Sequence, residues 1–160
     1  MRPDSLGKWS PGVWRMGTRE VERVLQSYAT RGVFRAFSRT GATFRFTWLW
    51  GLAFRATFRA DVLEFPGLLP EVPVRSKLER ELKAFIRECG SEERPEHRRV
   101  DPKRLTVRCL RNRKALGLAF KVQDEDGVRQ AINLVNEVFL TFLNVEHAQY
   151  VVEQFRVPED

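Results

Sequence analysis

The sequence predicts an α+β fold of two layers, with an antiparallel sheet of about five strands and helices packed on one face, in the order α-β-β-β-α-β-β-α-α. Three observations predict it. Apolar and polar residues alternate with period two between residues 33 and 63 and again between 105 and 121. Residues 76–90 and 124–143 instead repeat at helical spacing behind residues suited to capping. Glycine or proline punctuates the ends, at Gly32, Gly90 and Pro158. With 160 residues and 42% apolar content, the chain suffices for one cored domain over residues 18–160.

Residues 1–17 are rich in Pro, Gly and Ser but hold Trp9 and Trp14, so they are either a loose tail or an arm that docks two indoles on the body. Thr18 is the expected cap of a first helix, with Val21, Val24, Leu25 and Tyr28 on one side and Gly32 as its stop. Then Phe44, Phe46, Trp48 and Trp50 alternate with Thr43, Arg45, Thr47 and Leu49, and Phe54, Ala56 and Phe58 alternate with Arg55, Thr57 and Arg59. For the aromatic faces to coincide, the expected pairs are Trp48 with Phe54, Phe46 with Ala56 and Phe44 with Phe58. A preceding strand would turn at Thr40, Gly41 and Ala42 with Phe34 and Ala36 facing the rings, which leaves Phe37 outward. Residues 64–75 contain Pro66, Pro70 and Pro73 and are expected to form a loop.

Ser76 and Glu79 form a capping box ahead of Leu78, Leu82, Phe85, Ile86 and Cys89. A charged loop, residues 91–103, follows. Leu105, Val107 and Cys109 are expected opposite Phe120, Leu118 and Leu116, with Asn112 and Arg113 as the turn. Asp124 caps the next helix, whose buried stripe is Val128, Ala131, Ile132, Val135, Phe139, Phe142 and Leu143. Asn144 is the expected cap of a last short helix carrying Ala148, Val151, Val152 and Phe155. Leu134 and Leu140 fall off the stripe, so either a second copy covers them in a homodimer or the last helix does.

Charge is segregated by element. Residues 33–60 and 105–123 together carry ten positive charges and no acid, while the whole chain is +7. One face of the sheet is therefore expected to be positive, formed by Arg35, Arg39, Arg45, Arg55, Arg59, Arg104, Arg108 and Lys121. Guanidinium groups on such a face suit carboxylates or phosphates. A bias toward arginine can equally reflect genome composition, and charge runs are usually solvated surface.

No motif for chemistry accompanies the charge. Cys89 and Cys109 both fall on apolar faces and read as buried free thiols; Cys89 with His97 makes a poor catalytic pair, because a helix C-terminus disfavours a thiolate. Two scattered histidines, His97 and His147, cannot supply a zinc set. The run Asp124, Glu125, Asp126 belongs at a helix start without a cation. No phosphate-cradling glycine loop or nucleophile elbow occurs. The aromatic row could stack bases, but its Leu, Ala and Val neighbours place it in the core. No apolar run reaches the roughly 18 residues of a membrane span, and no apolar stretch follows Met1 as in a secretory signal.

The element order after residue 17 resembles the secretion-chaperone-like α-β(3)-α-β(2)-α fold. That resemblance implies work by protein contact, although the chaperones of that group are usually acidic dimers and this chain is basic. The expected protein is thus cytoplasmic and non-enzymatic, with no cofactor or metal. Its basic sheet face would engage an acidic protein segment or partner subunit; the alternative is a nonspecific nucleic-acid-binding protein using the same face.

Overall fold

A computed structural model describes residues 16–91, 94, 99–101 and 105–155. The possible docking arm with Trp9 and Trp14, and His97 and Arg104, lie outside the described residues. Six strands, where the sequence predicts about five, form one antiparallel sheet: β1 (Arg35–Thr40), β2 (Thr43–Trp48), β3 (Leu52–Arg59), β4 (Val62–Leu69), β5 (Leu105–Asn112) and β6 (Ala115–Val122). Their order across the sheet is β1-β2-β3-β4-β6-β5. The helices are α1 (Thr18–Thr30), α2 (Lys77–Cys89), α3 (Glu125–Glu137) and α4 (Ala148–Phe155), with a π-helical segment at Val138–Glu146. No helix among the described residues is long and apolar enough to cross a membrane.

The additional strand is β4, inside the stretch expected to be a loop. Its proline is tolerated because β3 stops pairing with it at Glu64, and the register with β6 shifts between Phe65 and Leu69. Gly67 takes a positive φ of 65° within that irregularity. Across from it, Gly117 must lack a side chain: a Cβ there would lie 2.2 Å from the Phe65 carbonyl oxygen. With four strands before α2, the element order departs from the three-strand order of the chaperone-like fold.

Both hairpins sit two residues away from the expected register. Phe46 faces Phe54, and Trp48 faces Leu52, so the ladder gains a pair and the connection shrinks to Leu49–Gly51. Cys109 faces Leu118 and Leu105 faces Val122, which brings Val122 into the buried row and moves the turn to Arg113 and Lys114. Arg113, with φ of 58°, takes the left-handed conformation that the sequence suggests for Asn112. A shift of two preserves the face of every side chain, so the division into apolar and basic sides survives. The first strand is different. A bulge between Arg35 and Ser38, with Ala36 at φ of 53°, brings Phe37 to the core side, where its ring stacks against Phe44 at 6.2 Å.

The apolar sheet face meets the helices. Phe44, Phe65, Phe120 and Phe139 are fully buried, and the stripe expected on α3 and its continuation is buried throughout. Asp124 caps α3 by accepting from the Gly127 amide at 2.9 Å. Helical winding then continues in the wider π form, which buries Val138, Phe139, Phe142 and Leu143 together. Asn144 is thereby held within that segment, and the last helix starts after His147, whose carbonyl accepts from Val151. The start of α1 also differs by one residue: Gly17 is the cap, and its amide donates to the Glu20 carboxylate at 3.0 Å.

Leu134 is buried, not outward; with Arg94 and Val100 it lines a pocket of about 190 Å³ on the helix layer. Leu140 remains 40% exposed. The apolar patch expected for self-association therefore loses one of its two residues. Cys89 is buried, whereas Cys109 is only half-buried, because β5 is an edge strand.

Candidate anion-binding sheet face

The strand registers arrange the exposed face in rows. One row runs Ser38, Arg45, Arg55; another runs Thr40, Thr43, Thr57, Glu64, Ala119, Arg108; a third runs Arg59, Val62, Lys121, Thr106. Alternation along β2 and β3 forces this placement, since Phe44, Phe46, Phe54 and Phe58 are taken into the core and leave the intervening residues outside.

Arg45 and Arg55 are direct cross-strand partners. Like charges in that relation repel, and neither side chain makes an ion pair or hydrogen bond among the described residues. Around them the sheet is low. Ala36, Thr47 and Ala53 are small, and the β1 bulge falls at Ala36, so the two arginines line a shallow depression of about 240 Å³. A guanidinium pair that makes no ion pair among the described residues, beside a depression open to solvent, can take a carboxylate or phosphate group in bidentate fashion.

Of the remaining residues expected on this face, Arg35, Arg59, Arg108 and Lys121 are exposed on it and likewise lack an ion pair among the described residues. Arg39 is not on it. The β1 bulge turns it to the helix side, where it donates to Glu22 of α1 at 2.7 Å and to the Gly41 carbonyl at 2.8 Å. The sequence reading also missed an acid. Glu64 stands in the middle row on β4, and its signal in the sequence is the alternation of Val62, Leu63, Glu64 and Phe65 ahead of Pro66.

A second polar cluster sits at the other end of the sheet, under α2. Ser76 caps that helix by accepting from the Glu79 amide at 3.3 Å, but the Glu79 carboxylate does not return to Ser76. It accepts from the Arg75 amide at 2.6 Å and pairs with Arg111 at 3.0 Å and Lys83 at 3.4 Å. The Arg75 amide, against the opposing effect of burial, and then Arg111 and Lys83 hold the Glu79 carboxyl below its ordinary value. Burial pushes the neighbouring Cys109 thiol up, which keeps it protonated and a poor nucleophile. Arg111 also donates to the Val72 carbonyl at 2.5 Å, so this cluster is a brace between α2, β5 and the segment after β4. Among the described residues no group of three His, Cys, Asp or Glu is placed to hold a metal ion. His147, just before α4, lies with its Nε2 2.8 Å from a Glu81 carboxylate oxygen of α2 and with its ring against Phe142.

The fold and this face define an α+β protein with one helix-covered and one exposed, arginine-bearing sheet surface. The chain matches no family model, no curated protein and no solved structure.

Proposed function

We propose that the chain is a non-enzymatic binding module whose exposed sheet face engages an acidic protein segment or partner subunit. The observation that carries this reading is the cross-strand Arg45 and Arg55 pair, which makes no ion pair among the described residues, beside its depression. Keeping two like charges adjacent costs stability, and an anion bound between them would turn repulsion into attraction. Arg35, Arg59, Arg108 and Lys121 extend the attraction over the rest of the face, while Glu64 interrupts it. Base stacking finds no support, because Phe44, Phe46, Trp48, Phe54 and Phe58 are all in the core.

Titration of labelled polyglutamate, and of random duplex and single-stranded oligonucleotides, against increasing salt tests the proposal. Polyglutamate should bind at low salt and lose about tenfold or more in the Arg45→Glu/Arg55→Glu variant, whose folding should stay intact. Tight binding of oligonucleotides with a steep salt dependence, and none of polyglutamate, would transfer the face to nucleic acid. If neither polyanion binds at low salt, the face is simply solvated.

A further inference from the structure

The two edges of the sheet are built differently. On β1 the bulge at Ala36 and the exposed Arg35 and Arg39 blunt the strand, as edges that must not pair usually are. β5 also carries arginine, at Arg108 and Arg111, but it has no bulge: all eight residues keep unbroken register with β6, from Leu105 with Val122 to Asn112 with Ala115.

The direction of its outward groups follows from the ladder. The Val122 amide donates to the Asp61 carbonyl, toward β4, and amides alternate along a strand, so Lys121, Ala119, Gly117 and Ala115 point toward β5. Their partners Thr106, Arg108, Leu110 and Asn112 use their backbone groups on β6. Leu105, Val107, Cys109 and Arg111 therefore aim theirs off the edge, as the bond from the Leu105 amide to the Asp101 carbonyl illustrates. Among the described residues the amides of Val107, Cys109 and Arg111 meet no acceptor.

We infer that β5 accepts an added strand, an extended partner segment in which acidic and apolar residues alternate. The inference rests on the proposed acidic partner and names its mode of docking. Backbone groups of Val107, Cys109 and Arg111 supply the ladder. Arg108 is on the exposed face and falls at a position not hydrogen-bonded to the newcomer, where facing side chains come closest, so an acid opposite it gains an ion pair. On the other face Val107 and Cys109 are half-buried and would be covered by apolar residues of the same segment. Arg111 is already held by Glu79. A second copy is disfavoured as the occupant: each copy carries +7, and residues 105–123 contain no acid to answer Arg108.

The experiment uses the full chain and a synthetic peptide of about eight alternating valine and glutamate residues, with a second peptide N-methylated on alternate amides as control. The first should bind about tenfold tighter than the second and slow hydrogen exchange at the Val107, Cys109 and Arg111 amides. Val107→Pro should retain the melting temperature, since its amide is not in the ladder, and should erase the difference between the peptides. The Arg45→Glu/Arg55→Glu variant should keep that difference. Equal binding of both peptides with the three amides unprotected would overturn strand addition while leaving the acidic-partner reading intact. If neither peptide binds while polyglutamate does, strand addition alone fails; if polyglutamate fails too, the functional reading falls. Amides already protected in the free protein would also overturn the inference, with dependence on protein concentration marking a second copy and independence marking the chain's own cover.

Discussion

The β2–β3 hairpin and the β4–β6 pair hold the same sheet together by different means. In the hairpin, aromatic rings fill one face: Phe46 lies 5.9 Å from Phe54 and 4.1 Å from Phe34, and the opposite face is left to Arg45 and Arg55. In the β4–β6 pair a single edge-to-face contact joins Phe65 and Phe120 at 5.8 Å, a Cβ at Gly117 would collide with the Phe65 and Pro66 backbone, and Glu64 accompanies Lys121 and Arg108 on the exposed side. Charge is distributed differently over the two exposed sides. The hairpin, with more ring contacts, sets two arginines directly opposite one another outside, whereas the β4–β6 half carries an acid among its cations.

Breaking the backbone approach should have the largest effect. Gly117→Ala puts a methyl carbon where Phe65 and Pro66 already are, and only separation of β4 from β6 relieves it. A loss of about 4 kcal/mol or more is expected, read by denaturant unfolding. Phe46→Ala should cost about 3 to 5 kcal/mol by the same measurement, because the vacated ring space among Phe34, Trp48 and Phe54 cannot close fully.

A pH series separates the halves further. The folded carboxyl of Glu79 is held below its ordinary 4.5, so its stabilisation is present above that value and disappears as pH falls through the lower folded one. Glu79→Gln should lower stability at neutral pH and flatten the decline below about pH 4.5 seen in the unmodified protein. An unchanged pH profile would remove Glu79 as the brace under β5.

The smallest effect should have the opposite sign. Arg45→Glu alone replaces a cross-strand repulsion with Arg55 by an attraction and should raise stability by about 0.5 kcal/mol, while weakening polyglutamate binding. Stability gained with binding lost would separate the face's contribution to function from its contribution to folding. A loss of stability would mean that Arg45 has a structural partner.

Much of this molecule was legible locally. Asp124 and Ser76 start their helices, and the stripe from Val128 to Leu143 is buried as helical spacing requires. Gly117 was not legible, since nothing in its neighbours announces that another backbone passes within van der Waals contact. The strand around Pro66 was hidden for a related reason: proline excludes a paired strand only where its missing amide is needed, and that depends on where β3 stops. Simple alternation puts Arg39 on the exposed face, and the bulge at Ala36 inverts the alternation beyond it.

By itself the sequence determined which side chains oppose one another in kind: rings and aliphatics against arginine and threonine, because a period of two sorts residues by parity alone. Tertiary structure decided the step along that period, the sixth strand, the withdrawal of Arg39 and the adjacency of Arg45 to Arg55. A slip of two residues leaves every side chain on its own face. Only turn length, backbone approach and packing against the helices distinguish such registers, and those belong to the assembled chain.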